Sequence, residues 1–257
     1  MTILSGKEIA KLLEKNGWKI VRINALLEVL KSAPRRVNKI LIQKEEGHRP
    51  LGTIVGLAKA NHIPYLFLPK QALDKMAPHH QGVIAHLSPQ EFIPLPAILE
   101  VAGPAPFLVL LDEIEDPQNL GAILRSAEGA GADGIILPER RSAGLTETVA
   151  EVSAGALAHL RVGRVPNLVQ AMAALKDRGI WLVGAEGGGD GLFYEFDYSQ
   201  PVGIVLGSEG KGLRPLVRRT CDRILSIPLR GKVNSLNVGA AASVFFFEVA
   251  RQRAKAR

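Results

Sequence analysis

Three stretches of the chain combine polar side chains with glycines, and their shared chemistry is hydrogen bonding to a small polar or anionic ligand. In the first, DEIEDPQNLGAILRSAEGAGA (112–132), Asn119 reads as an N-cap for the helix that follows, and Gly121 lets a ligand or another chain approach the first turn closely. Arg125 lies six residues beyond Asn119; an arginine there is also what the solvated side of an amphipathic helix shows. The second stretch, GSEGKG (207–212), sets Glu209 among three glycines ahead of a helix, so its backbone amides could face an anion or a polar cofactor. A third, PLRGKVNSLNVGAAAS (228–243), supplies the Ser235 hydroxyl and the Asn237 amide at a helix start, where both also read as caps.

Other chemistries lack their parts. GSEGKG is not a phosphate-binding P-loop, because that motif needs four residues between its glycine and the GK pair, then Ser or Thr, whereas Lys211 is followed by Gly212. Its GxxGxG spacing also misses the dinucleotide fingerprint. The six histidines form no HExxH-like pair and no GxSxG elbow is present, so metal and hydrolase-triad readings have no support. A single cysteine, Cys221, removes disulfides and Cys-based zinc sites. The run Gly187, Gly188, Gly189 and Gly191 reads as a surface turn.

The elements that must carry these stretches follow from hydrophobic pattern. Short apolar runs at 107–111, 134–137, 161–165, 180–185, 202–206 and 223–227 read as buried parallel strands. They alternate with helical patterns at 120–130, 146–158, 168–178, 213–220 and 237–253, which makes an α/β domain with a parallel sheet. Such sheets bind ligands beyond the carboxyl ends of their strands, and the three polar stretches follow Leu111, Leu206 and Ile227. Upstream, a helix from Ser5 to Gly17, helices near 23–31, 50–58 and 71–76, and strands near 37–42, 65–68 and 82–86 suggest a small α/β sandwich.

Five prolines between Leu87 and Pro106 read as a semi-rigid linker, giving an N-terminal domain (1–86), a linker (87–106) and a C-terminal domain (107–257). The net charge of +7 is unevenly shared: residues 1–106 hold 14 Lys and Arg against 8 Asp and Glu, residues 107–257 hold 18 against 17. A polyanion partner for the first segment is one reading, since each phosphate neutralised by Lys or Arg releases a counterion; plain solubilising charge is the other. No apolar run approaches the roughly 20 residues of a membrane span, and the N-terminus lacks the pattern of a signal peptide, so a cytoplasmic protein is expected.

Taken together, NLGAILRSA (119–127), IVLGSEGKG (204–212) and SIPLRGKVNSLNVGAAAS (226–243) resemble the three motifs of the SpoU-type RNA ribose 2′-O-methyltransferases of the SPOUT superfamily. HHQGVIAHL (79–87) and INALLEVLKSAPRRVNKILI (23–42) are similar to the RNA-binding N-terminal domain of the bacterial 23S rRNA guanosine-2′-O-methyltransferase branch. The resemblance implies a C-terminal trefoil knot, S-adenosylmethionine as cofactor, a homodimer through the catalytic domain, and RNA, namely 23S rRNA, as substrate, with no metal and no membrane. Carried over position by position, it implies cofactor contacts at Gly207, Ile227 and Leu236, and a catalytic set of Asn119, Arg125, Glu209, Ser235 and Asn237. Two alternatives accompany it: a tRNA substrate, and a catalytically silent RNA-binding ribosome-assembly protein on the same fold. A nucleotide-dependent α/β enzyme is disfavoured by both failed phosphate motifs.

Overall fold

The computed structural model describes residues 18–44, 49–88 and 90–255. It divides into two units, Met1–Pro89 and Gln90–Arg257. The helix expected over Ser5–Gly17 lies outside the described residues.

The first unit runs β1 (Trp18–Ile20), α1 (Ile23–Ser32), a 3-10 turn (Pro34–Arg36), β2 (Val37–Gln43), α2 (Arg49–Ala60), β3 (Tyr65–Leu68), α3 (Lys70–Asp74) and β4 (Val83–Leu87). Its sheet has the order β1-β4-β2-β3. Strand β4 is antiparallel to both neighbours, while β2 and β3 pair in parallel through the α2 crossover. One sheet face presents Ile20, Ile40, Ile42 and Ala85, all buried. Helix α1 buries Ala25, Leu26, Val29 and Leu30, the stripe that a 3.6-residue period predicts. On the other face α3 covers only part of the sheet, with Leu73 and Ala77 packed on Leu41 and Ile84.

His86 of β4 sits beside that cluster, 8% exposed, paired in register with Lys19 on β1 and Lys39 on β2. Burial first, then the charges of Lys19 and Lys39, hold its imidazole below the usual histidine range. The unfolded chain therefore takes up the proton more readily than the folded one. Stability is complete above about pH 6.5 and declines as the pH falls below it. Hydrogen exchange of the β4 amides is expected to accelerate between pH 7 and 5 once corrected for intrinsic rates, and His86→Gln is expected to remove most of that acceleration. An unchanged pH profile in the variant would show that His86 is not the group responsible.

The second unit runs α4 (Leu95–Val101), β5 (Phe107–Leu111), α5 (Pro117–Gly129), β6 (Gly134–Pro138), α6 (Glu147–Val152), β7 (Val162–Val165), α7 (Leu168–Lys176), β8 (Trp181–Ala185), β9 (Gly191–Leu192), β10 (Val202–Leu206), α8 (Pro215–Thr220), β11 (Arg223–Ser226) and α9 (Val238–Lys255). The seven strands are parallel throughout, in the order β7-β6-β5-β10-β8-β11-β9. The chain thus inserts β10 between β5 and β8, then β11 between β8 and β9. Strands β5, β6 and β10 are buried at every position, as sheets covered on both faces require.

Several expectations are corrected by these elements. The proline-rich stretch is not wholly a linker: Leu95–Val101 is helical, Ile98 is fully buried in the second unit's core, and the Ile93 amide donates to the Val162 carbonyl. Pro94 and Pro96 sit where proline is tolerated, at the helix start, so composition overstated the looseness of the segment. The helix expected over 146–158 stops at Val152, because Ala154 (φ 52°) and Gly155 (φ 98°) turn left-handed before a 3-10 turn at Ala156–Ala158. The glycine run after β8 is more than a surface turn, since Gly191 opens β9, which pairs with β11. Arg253, on α9, is a structural residue: it donates to the carbonyls of Tyr198, Ala105, Pro106 and Gln200.

Candidate functional site

Parallel register puts the strand ends of the second unit level with one another. Leu206 lies opposite both Leu111 and Ala185, and Leu225 opposite Ala185. The loops after β5, β8, β10 and β11 therefore leave the same edge of the sheet side by side, and three of them are the polar stretches singled out in the sequence.

Asn119, Glu209 and Asn237 meet there, brought together across 90 and 118 residues of chain. Asn237 caps α9: its Oδ1 accepts the backbone N–H groups of Gly239 (2.9 Å) and Ala240 (3.4 Å). That commitment fixes the amide orientation, turning Nδ2 away from the helix, where it donates to Asn119 Oδ1 at 2.8 Å and lies 3.5 Å from Glu209 Oε2. Asn119, oriented in turn, donates its own Nδ2 to Glu209 Oε2 at 2.9 Å. One helix cap thus sets a chain of amides that ends on a solvent-exposed carboxylate. Asn119 itself is not the N-cap of α5. Asp116 holds that position and accepts the Gln118 amide, because Pro117 is suited to the first helical position and starts the helix three residues earlier.

The GSEGKG loop folds on itself. Ser208 and Gly212 exchange backbone hydrogen bonds (3.1 and 2.9 Å), with Gly210 (φ +82°) and Gly212 (φ +68°) in left-handed conformations that favour glycine. A Cβ on Gly207 would lie 2.2 Å from the carbonyl carbon of Gly212 and 2.4 Å from the Leu213 nitrogen. The loop's amides are thus partly used internally, and α8 begins only at Pro215, so the expected opening of a helix by this loop does not occur.

Side chains that sequence reasoning passed over lock the loop. The Glu186 carboxylate, at the end of β8, accepts the Leu213 amide (3.1 Å) and Arg218 Nε (2.6 Å). Asp112, fully buried after β5, accepts the Arg214 amide (2.9 Å) and pairs with its guanidinium, which this hydrogen bond keeps more basic than an ordinary arginine. In the sequence these are ordinary carboxylates distant from any motif; only the pattern of an acidic residue directly after each of two buried strands marks them. Gly121 also differs from expectation. What approaches it closely is Val152 of α6, 2.6 Å from a would-be Cβ, so its role is helix packing.

A cavity of about 670 Å³ opens beside the triad. Gly207, Ile227 and Leu236 line it, as do Ser235 and Glu209. Asn237 and Asn119 bound it only through their bonds to Glu209. A second cavity, about 270 Å³, lies on the far side of the loop, lined by Asn119, Glu113, Asp116 and Lys211 and sharing Ser208 and Glu209 with the first. Arg125 stands apart: it is exposed on α5, lines neither cavity, and makes no hydrogen bond or ion pair with another described residue. Among the described residues no three His, Cys, Asp or Glu side chains are grouped to hold a metal ion, and no helix is long and apolar enough to cross a membrane.

This arrangement has known counterparts. Residues 106–247 match the SpoU rRNA Methylase family, and residues 23–93 match the RNA 2′-O ribose methyltransferase substrate binding family. The chain is 40% identical over 238 residues, 91% of its length and 95% of the relative's, to YacO of Bacillus subtilis, whose name places it in the TrmH family of tRNA/rRNA methyltransferases. It is 39% identical over 239 residues, 91% of its length and 98% of the relative's, to the 23S rRNA (guanosine-2′-O-)-methyltransferase RlmB of Pectobacterium atrosepticum. Among solved structures, the SpoU methyltransferase AviRb from Streptomyces viridochromogenes in complex with AdoMet superposes with a TM-score of 0.78 at 25% identity, covering 96% of this chain and 94% of that one. With both units matched and the three motif loops assembled at one sheet edge, the chain belongs to the SpoU rRNA methylase family and is an RNA 2′-O-methyltransferase.

Proposed function

We propose that the chain transfers the methyl group of S-adenosylmethionine to the ribose 2′-hydroxyl of a guanosine in 23S rRNA. The observation that carries this reading is the bonded Asn119–Glu209–Asn237 chain, which reaches the larger cavity through Glu209. A volume of about 670 Å³ is within the range of small-molecule sites, and the residues present fit this cofactor. Gly207 and Gly212 leave backbone groups reachable, Ile227 and Leu236 offer apolar surface for a purine ring, and the Glu186 and Glu209 carboxylates suit a sulfonium cation. When bound, S-adenosylmethionine supplies the electrophilic methyl group.

The protein then has two tasks: to hold the ribose oxygen in line and to accommodate the developing charge. Alignment alone is worth roughly 7–11 kcal/mol, more than a typical general base at about 10²–10⁴-fold, so positioning dominates. Asn119, Asn237 and Ser235 bond the ribose or order the loops around it, and Glu209 orients Asn119. Arg125 carries a guanidinium, a fixed fork of N–H donors with no acceptor atom, and is therefore suited to donating rather than to taking a proton. Its exposed place on α5 suits clamping an RNA phosphate; stabilising negative charge on the ribose oxygen is the second part proposed for it. The first unit, with its excess of Lys and Arg, recognises the RNA, because ribose chemistry barely distinguishes one base from another. A homodimer through the second unit and a trefoil knot formed by its C-terminal strands and α9 belong to the same proposal, as does a cytoplasmic setting.

Mapping of ribose methylation after incubation with purified protein tests the substrate. One new 2′-O-methylguanosine in 23S rRNA, with none in tRNA, is expected; methylation of tRNA in place of 23S rRNA would overturn the substrate assignment, and methylation of neither would overturn the activity.

A further inference from the structure

One patch of the first unit lies outside everything assigned so far. On the sheet face that α3 partly covers, the apolar cluster ends with Val21, Ile84, Leu41 and Leu66. The next row along the sheet is Lys19, His86 and Lys39, one residue from each of three adjacent strands, with His86 in the middle. Strands lie about 4.8 Å apart, so the two lysines stand roughly 10 Å from one another across the histidine.

Such a row is costly on its own. None of the three side chains makes a hydrogen bond or ion pair with another described residue. His86 is more than nine-tenths buried and its Nε2 has no partner. A buried ring nitrogen without a partner forfeits the solvation it had in water, and two flanking ammonium groups add repulsion. The perturbation of His86 comes from burial and these two lysines, with no carboxylate contributing. Beyond the row, toward the strand ends, stand the exposed Arg35 and the half-buried Arg36, whose Nη2 donates to the Ser88 carbonyl. From Trp18 to Lys44 there are seven Lys and Arg and a single acidic residue, Glu28, which lies on α1.

We infer that the Lys19–His86–Lys39 row is a phosphate-binding site for the RNA backbone, the two ammonium groups bracketing the strand above the buried His86. The inference rests on the RNA-modifying reading above and adds to it the face by which the first unit holds its substrate. Phosphate contacts position an RNA without reading its sequence, so the row supplies affinity and register, and site choice comes from contacts elsewhere.

The test is the salt dependence of binding between the full chain and a 23S rRNA transcript. Each phosphate contact contributes about 0.7–0.9 to the slope of log affinity against log salt concentration. A Lys19→Gln/Lys39→Gln double variant is expected to bind about tenfold or more weakly near 0.1 M salt and to lose about 1.4–1.8 from the slope. A Lys59→Gln/Lys70→Gln variant, with the same charge removed from α2 and α3, is expected to keep the unaltered slope. S-adenosylmethionine binding measured on both variants checks that the second unit is intact, and far-UV circular dichroism that the first unit is folded. Equal slopes for the two double variants, with salt-dependent binding by the unaltered chain, would overturn the assignment of this face and leave the RNA reading standing. Failure of the unaltered chain to bind the transcript would overturn both.

Discussion

An Asn237→Asp protein is expected to fold as the unaltered chain does and to lose turnover by about 10²–10³-fold. Aspartate caps a helix as well as asparagine, and its charge suits the positive end of the helix dipole. The Gly239 and Ala240 amides therefore keep their acceptor, and the change in stability should stay within about 1 kcal/mol. What disappears is the Nδ2 donor. In its place a carboxylate oxygen stands near 3.5 Å from Glu209 Oε2, and Asn119 loses the bond that sets its amide orientation. Removing one preorganised donor from a reaction centre costs about 10²–10³ in rate. Asn237→Ala makes the complementary measurement, because it also removes the cap and should destabilise the protein by about 1 kcal/mol. Full activity in Asn237→Asp would reduce Asn237 to a cap, the plain alternative that its position in the sequence allows.

Gly207→Ala should weaken S-adenosylmethionine binding by at least about a hundredfold. The added methyl group meets backbone at 2.2–2.4 Å, the carbonyl of Gly212 and the nitrogen of Leu213, where no side chain can swing aside. To make room the loop must open, breaking the Ser208–Gly212 pair and drawing Glu209 away from Asn119. Overpacking of this kind costs about 1–3 kcal/mol, so the protein should remain folded while its binding surface changes. Gly231→Ala is the control, since nothing lies within 4 Å of a Cβ there. Calorimetric titration of both variants separates the outcomes: tight binding by Gly207→Ala would mean that the folded-back loop is not part of the cofactor site.

Much of this arrangement is legible in the sequence because it depends on local rules. Buried parallel strands read as short apolar runs, and β5, β10 and β11 begin and end within a residue or so of the pattern. The loops that matter follow from the strand ends, and the cap at Asn237 from residue type and position. The cap lies three residues before Asn119 for a local reason, since Asp116 followed by Pro117 is a stronger helix start than a lone asparagine. The order of the strands carries no such signature. Nothing in the spacing of apolar runs says that β10 enters between β5 and β8, and it is this insertion that sets Glu209 beside Asn119. Glu186 and Asp112 escaped notice for the same reason, their partners lying 27 and 102 residues away. Cross-strand pairing likewise created the Lys19–His86–Lys39 row from residues that look unrelated along the chain.

The central claim is that the loops after β5, β10 and β11 form one pocket for a methyl donor with a ribose at its edge. A crystal structure of the full chain with bound S-adenosylmethionine tests it most directly. The account predicts the adenosine between the Gly207 and Ile227–Leu236 backbones, with the methyl group facing Asn119, Glu209 and Asn237. Density for the donor in any other cavity, or a methyl group pointing away from those three side chains, would contradict it.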